Sequence, residues 1–121
     1  MQVPGPPIIV GGRGPKRTPE LAARYADEFN MPFKSVAETA EAYERVREAG
    51  ERTGRAEAGR APLHAPSALP PEDPVIGSPA KLVERIHEFA AIGASRVHLR
   101  LIDMNDPDHL ELMAAEVLPY V

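Results

Sequence analysis

A short β-branched run, Ile8 to Val10, leads directly into a glycine-rich loop, Gly11 to Gly14, and this junction constrains the fold more than any other feature of the chain. The run predicts a short buried strand, and the glycines predict a tight loop after it. A helical repeat of apolar residues follows at Leu21, Ala22, Tyr25 and Ala26. It predicts a helix over about 15–27, which starts instead at Thr18 if the Thr18-Pro19 pair caps it.

Further strands and helices follow this first unit. Alternation at Phe29, Met31 and Phe33 predicts a second short strand or a buried crossing segment. A capping box of Ser35 and Glu38 opens a second helix, which should end at Gly50. The later signals are a helix from Pro79 to about Gly93 capped by Ser78, a strand over 95–102, and a last helix that begins at Asp106-Pro107 and ends at Pro119.

The stretch over 51–74 has no clear periodicity and is rich in alanine, glycine, arginine and proline. Structureless stretches longer than about 15 residues are unusual inside a compact domain. The stretch therefore predicts a mobile loop or linker within a single domain over residues 1–121.

The order of these elements indicates a parallel sheet with helical crossovers. A closed (β/α)8 barrel needs eight strands and about 250 residues. The 121 residues show two or three strands, so the chain is too short to close a barrel alone. The predicted fold class is α/β, an incomplete portion of a (β/α)8 TIM barrel.

Composition excludes several classes of function. The net charge is −4, without the basic excess typical of nucleic-acid binders. There is no cysteine, which excludes disulfides, zinc thiolate sites and thiol catalysis. The four histidines lack the i, i+4 spacing of a helical zinc site, so no metal is expected. No apolar run is long enough to cross a membrane and the N-terminus lacks a signal-peptide pattern, so the expected location is the cytoplasm.

The loop Gly11-Gly12-Arg13-Gly14 carries the strongest chemical signal. Glycines between a strand and a helix let backbone N–H groups approach a phosphate, and the helix adds the positive end of its dipole. Arg13, Lys16 and Arg17 add positive charge. The spacing matches neither a Walker loop nor the dinucleotide fingerprint. On this pattern alone a plain strand-to-helix turn is the favoured interpretation, and phosphate binding is the alternative.

The last predicted strand carries weaker candidates. His98 and Arg100 share one face of that strand, and the sequence leaves open whether this face points into a barrel. Asp103 follows at the strand end where barrel enzymes place functional groups. A loop or capping carboxylate is the favoured interpretation of Asp103, so no catalytic residue is assigned.

Three blocks of the chain resemble one protein family. They run from Pro7 through the glycine loop to Asn30, from Ile76-Gly77-Ser78-Pro79 to Gly93, and from Val97 through Asp103 to Pro119. Together they cover most of residues 6–33 and 75–120. They are similar to the C-terminal part of the luciferase-like monooxygenases, and more narrowly to the branch that uses the deazaflavin coenzyme F420.

The resemblance implies a (β/α)8 barrel that binds its cofactor across the C-terminal ends of the strands. In that family the loop matching Gly11 to Gly14 holds the cofactor phosphate, largely through backbone amides. The implied activity is an oxidoreductase that acts on a small-molecule substrate through F420, with an FMN-dependent monooxygenase as the alternative. The cofactor carries the chemistry, and the protein orients it.

The chain departs from the family pattern in two places. The N-terminal strands, which in the family carry most ring-binding and catalytic residues, have no counterpart, so the fragment should be inactive alone. The family also has a strand between the helices that end at Gly50 and begin at Pro79, and residues 54–74 show no strand pattern.

Three hypotheses stay open from the sequence. The first is an oxidoreductase fragment that needs the missing N-terminal barrel segments to bind its cofactor. The second is a non-enzymatic half-barrel module, or a truncated remnant, that buries its open sheet edges by forming a homo-oligomer. The third is a small phosphate- or nucleotide-binding domain centred on Gly11 to Lys16.

Overall fold

The computed structural model describes residues 5–32, 34–54, 63–67, 78–99 and 105–121. These residues form an α/β fold in which strands and helices alternate along the chain. The elements are β1 (Ile9–Gly11), α1 (Arg17–Tyr25), β2 (Glu28–Asn30), α2 (Val36–Thr53), β3 (Leu63–Ser67), α3 (Pro79–Ala91), β4 (Ala94–Leu99) and α4 (Pro107–Glu116), with a 3-10 turn at Leu118–Tyr120. Within these ranges, every helix is either too short or too polar to cross a membrane.

The strands form one parallel sheet in chain order, β1-β2-β3-β4. Each neighbouring pair runs parallel, and α1, α2 and α3 supply the three crossovers. The predicted parallel α/β architecture is therefore confirmed. In the described residues β1 and β4 are the two edges of this sheet.

The core lies where α1 and α2 pack together beside β2. Phe29 of β2 and Tyr43 of α2 meet edge to face, with ring centroids 6.3 Å apart and planes inclined by 75°. Val10 of β1 and Ile92 at the end of α3 are partly buried and pack against this cluster. The buried members of the cluster are Ala22, Ala26, Phe29, Met31, Ala42, Tyr43 and Val46.

Three of the four helices begin at the predicted capping residues. The Ser35 hydroxyl accepts a hydrogen bond from the Glu38 N–H at 3.2 Å, and the Glu38 carboxylate accepts one from the Ser35 N–H at 3.1 Å. This confirms the predicted capping box. Ser78 and Asp106 likewise cap α3 and α4 through their side chains. The exception is α1, which begins at Arg17 without a side-chain cap.

The Glu38 carboxylate should stay charged in unusually acidic solution. Its bond to Lys34 lowers its pKa most, and the Ser35 N–H lowers it further, to about 2. Because the folded pKa lies below the ordinary 4.5, this contribution to stability is present above pH 4.5 and is lost as pH falls through about 2. An NMR titration of the Glu38 carboxylate should give a midpoint near pH 2. Both Lys34→Gln and Ser35→Ala should raise this midpoint, and Lys34→Gln should raise it more because the bond to Lys34 is the largest cause. A wild-type midpoint near 4.5 would contradict this geometry.

The prediction of an irregular loop over 51–74 is wrong in two places. Helix α2 continues to Thr53 and ends at Gly54, whose φ of 74° is the left-handed conformation that glycine tolerates. Strand β3 then occupies Leu63–Ser67, where the family resemblance implies a strand. The rest of the stretch lies outside the described residues.

The sequence of β3 lacks the features from which a strand is normally predicted. It contains Pro66, which is unfavourable in a central strand because it has no N–H to donate. It also lacks the valine and isoleucine runs typical of parallel sheets. The pairing with β2 stops at His64, so Pro66 lies beyond that ladder and pairs only with β4.

Several apolar side chains that were predicted to be buried are exposed. Ile8 and Ile9, in the run predicted as a buried strand, are each 53% exposed at the β1 edge. Tyr25, in the apolar helical repeat of α1, is 59% exposed. In α4 the helical spacing of Leu110, Met113, Ala114 and Val117 also predicts a buried stripe, yet Leu110 is 57% exposed and only Val117 is fully buried. The physical reason is that nothing in the described part of the chain covers the β1 edge or most of α4.

Candidate functional site

The glycine loop joins the C-terminal end of β1 to the start of α1, as predicted. Because the sheet is parallel, the C-terminal ends of β1 and β2 meet at the same end of the sheet. Gly11 is in register with Asn30, so the loop begins beside the last residue of β2. In parallel α/β sheets this end of the strands is where ligand-binding loops lie.

Gly12 fixes the loop to the neighbouring strand. Its φ of 150° is a backbone conformation that residues with a side chain rarely adopt. Its N–H donates to the Asn30 carbonyl oxygen at 3.2 Å and so extends the β1–β2 ladder by one bond. The Gly12 N–H is therefore already bonded within the sheet. A ligand at the loop would bind the backbone N–H groups of the residues after Gly12.

Thr18 packs against the loop from the first turn of α1. A Cβ at Gly14 would lie 2.7 Å from the Thr18 Oγ1, which is closer than real Cβ atoms come to other atoms. A Cβ at Gly12 would lie 3.2 Å from the same oxygen. Sequence reasoning gave Thr18 only a capping role, because this packing depends on where α1 begins.

The start of α1 has backbone donors that the helix itself does not use. The first bond of the helix runs from the Glu20 N–H to the Lys16 carbonyl at 3.3 Å. The N–H groups of Arg17 and Thr18 come before it, so helix geometry gives them no acceptor within the helix. Pro19 has no N–H, and Lys16 provides no side-chain cap. These two donors and the helix dipole make this turn a favourable place for an anion.

Three basic residues lie in or next to this turn along the chain. Arg13, Lys16 and Arg17 are all exposed, so their charges are accessible to a solvent-borne anion. Glu20 is the acidic residue of the same turn, and it lies one position beyond Pro19. The sequence-predicted residues Gly11, Gly12, Arg13 and Gly14 therefore come together with Lys16, Arg17 and Thr18 in one continuous loop and helix start.

Asn30 adds a polar side chain that the sequence reasoning missed. A Cβ at Gly11 would lie 3.8 Å from the Asn30 Nδ2, so the amide side chain lies beside the loop. Its Oδ1 is buried and has no hydrogen-bond partner among the residues that the structure describes. The signal that could have found it is its position as the last residue of a strand, where barrel enzymes place functional groups.

The other predicted candidates do not join this site. His98 is exposed on β4, at the opposite edge of the sheet from the glycine loop. Arg100 and Asp103 lie outside the described residues. The Asp27 carboxylate accepts a hydrogen bond from the Ile8 N–H at 2.8 Å, so it holds the start of β1 in place. Across the described ranges, no group of three or more histidine, cysteine or acidic residues is arranged to hold a metal ion.

We also compared the chain with known protein families and with curated proteins. No model of a known protein family matches the chain, and no curated protein matches it. The geometry of the loop and its surroundings therefore carries the functional argument.

Proposed function

We propose that this chain is the C-terminal, phosphate-binding part of a (β/α)8-barrel oxidoreductase that uses coenzyme F420 or, as the alternative, FMN. One observation carries the proposal: a glycine loop at the C-terminal end of β1 leads into a helix whose first turn has no side-chain cap. The barrel, the deazaflavin and the reaction class come from the resemblance of residues 6–33 and 75–120 to the luciferase-like family.

The physical chemistry of the loop supports an anionic ligand. Uncapped N–H groups at a helix start have no acceptor within the helix, and a phosphate oxygen is a strong acceptor for them. The charges of Arg13, Lys16 and Arg17 favour the same sign of ligand.

The residues present fit the phosphate end of such a cofactor. The backbone of Gly14, Arg17 and Thr18 would hold the phosphate oxygens, while Lys16 and Arg13 would neutralise their charge. When bound, the ring of the cofactor supplies hydride or electron transfer. No described residue is assigned to the ring.

Matched flavins test the proposal directly, because FMN differs from riboflavin only by its phosphate. In amide NMR titrations, FMN and inorganic phosphate should shift the signals of Gly14, Arg17 and Thr18, and riboflavin should leave them in place. Tighter binding of F420 than of FMN would select the deazaflavin. Inorganic phosphate is the deciding ligand, because the resemblance implies that the ring of the cofactor needs the N-terminal barrel strands as well. Equal shifts with riboflavin, or no shift with inorganic phosphate, would rule out a phosphate loop.

Replacing Gly14 by alanine should weaken phosphate and FMN binding by about tenfold or more, equivalent to ~1.4 kcal/mol. The added Cβ would lie 2.7 Å from the Thr18 Oγ1 and would push the loop away from the helix start. The double variant Gly14→Ala with Thr18→Ala should recover most of the affinity because the obstructing oxygen is gone. Gly5→Ala is the matched control, since a Cβ there meets nothing within 4 Å. Equal affinities for Gly14→Ala and Gly5→Ala would contradict the assigned loop.

A further inference from the structure

The β1 edge of the sheet has backbone N–H and C=O groups that could pair with another strand. The carbonyl of Ile8 and the N–H of Gly12 both bond toward β2. In a parallel strand alternate residues bond to opposite sides, so the N–H and C=O groups of Ile9 and Gly11 point toward the open edge. The far edge of the sheet, in the part of the chain that the structure describes, is β4.

Helix α1 has an apolar side that no residue in the described ranges covers. Its buried face, formed by Pro19, Ala22 and Ala23, is made of small side chains. Leu21 and Tyr25 lie one turn apart on a different side, and both are exposed. At 3.6 residues per turn this exposed pair is rotated by roughly 130° from the centre of the buried face.

Helix α4 at the other end of the chain is still more open. None of its own residues is buried, although its sequence is rich in leucine. A surface helix ordinarily buries an apolar stripe against its own domain. The exposed large apolar residues of α4 and the segment after it are Leu110, Leu112, Leu118, Tyr120 and Val121.

The two open ends carry opposite charge. The unit from Ile9 to Tyr25 contains four basic residues and one acidic residue, a net charge of +3. The segment from Asp106 to Tyr120 contains four acidic residues and neither lysine nor arginine, a net charge of −4 with His109 neutral. These basic and acidic residues are exposed, so the two ends attract each other across an interface.

We propose that a second copy of this chain docks head to tail, so that β1 and α1 of each copy meet β4 and α4 of the other. In (β/α) barrels each helix packs between its own strand and the next, so α4 of one copy would cover Leu21 and Tyr25 of its partner. Four parallel strands from each copy complete the eight that a closed barrel needs. The contact is made twice by two-fold symmetry, which closes the assembly and removes both sheet edges. This inference does not depend on phosphate binding, although Arg13, Lys16 and Arg17 contribute charge to both sites. A second copy would take the place of the N-terminal strands of a complete barrel.

Engineered cysteines test the arrangement because the natural chain has none. Within one copy, Ile9 and Leu99 lie on opposite edges of the sheet, about three strand spacings or ~14 Å apart. A disulfide needs Cα atoms within about 7 Å, so a bond between these positions has to join two copies. Mixing an Ile9→Cys chain with a Leu99→Cys or Val97→Cys chain should give a covalent dimer on oxidation, while each chain alone should not.

A surface variant supplies the second measurement. Leu21→Glu with Tyr25→Glu places acidic groups against the acidic α4 and should weaken the dimer by about 100-fold in sedimentation equilibrium. Ala37→Glu with Ala80→Glu is the matched control, because it adds the same charge at exposed helical positions and should leave the dimer unchanged. Circular dichroism checks that both variants fold, since all four positions are exposed.

Three results would overturn the proposal. A wild-type chain that sediments as a monomer at every concentration has no such interface. Open-ended polymers would show that the contact does not close after two copies. If one cysteine variant alone forms disulfide dimers as readily as the mixture does, β1 pairs with β1 or β4 with β4 of the other copy, which the proposed arrangement does not allow.

Discussion

Replacing Phe29 by alanine should leave the chain unfolded or barely folded at room temperature. Phe29 is 2% exposed and has the largest of the fully buried side chains in the part of the chain that the structure describes. Truncating a buried phenylalanine costs about 3–5 kcal/mol, through lost apolar burial and the cavity that remains. Small domains are stable by only about 5–15 kcal/mol, and a chain of this size with 5% aromatic residues should lie near the lower end. Urea unfolding followed by circular dichroism measures the change.

A graded control distinguishes a packing effect from general intolerance at this position. Phe29→Leu keeps most of the apolar volume and should cost no more than about 1.5 kcal/mol. Both variants lose the edge-to-face contact with Tyr43. The difference between their free energies of unfolding therefore measures the cost of the cavity. If Phe29→Ala unfolds at the same urea concentration as the wild-type chain, the core does not centre on β2.

The helix boundaries were predictable because they depend on residues close together in sequence. Ser35 and Glu38 satisfy each other's backbone donors within one turn, and Ser78 and Asp106 cap the helices that follow them. Each of these bonds spans three residues, so the pattern is complete in the sequence itself. The continuation of α2 past Gly50 was missed because glycine only permits a helix end and does not require one.

Strand β3 could not be predicted because its conformation depends on residues distant in sequence. Its partners are β2, more than thirty positions earlier, and β4, about thirty positions later. A segment such as Leu63–Ser67 becomes a strand because both neighbours offer backbone groups to it, whatever its own preference. Sheet pairing of this kind overrides the local effect of Pro66.

Apolar periodicity predicted which sides of the helices are apolar, and it could not predict what covers them. Tyr25 and Leu110 occupy apolar stripes, and both are exposed in the single chain. A stripe is buried only if another element reaches it, and the last helix of a row has a neighbour on one side only. The contrast between these residues and the buried Val117 is the observation that a second copy would explain.

The glycine loop and the basic residues of the candidate site could be predicted from the sequence. The contacts that hold the loop in place could not. The glycines at 11, 12 and 14 and the nearby basic residues are contiguous in sequence, so the loop was visible there. The Gly12 bond to Asn30 and the packing of Thr18 against Gly14 depend on strand register and on where α1 begins. Those two quantities are set by tertiary structure.

Replacing Tyr43 by phenylalanine should stabilise the chain by about 1 kcal/mol at neutral pH. The Tyr43 hydroxyl is buried, and none of the described residues is its hydrogen-bond partner. An unsatisfied buried hydroxyl costs about 1–3 kcal/mol, and phenylalanine keeps the ring and its contact with Phe29. Urea unfolding of the two proteins at pH 7 gives the difference, with Tyr120→Phe as the control because that ring is exposed.

The same variant should remove part of the alkaline sensitivity of the chain. Burial raises the pKa of Tyr43 from 10.0 to about 12. A raised folded pKa means that the stabilisation is fully present below pH 10 and is lost as pH rises toward 12, because the unfolded chain releases the proton first. The stability advantage of Tyr43→Phe over the wild-type chain should therefore grow between these two pH values. A variant that is less stable than the wild-type chain at pH 7 would show instead that the hydroxyl has a partner in the folded protein, and the packing of α2 would have to be reassigned.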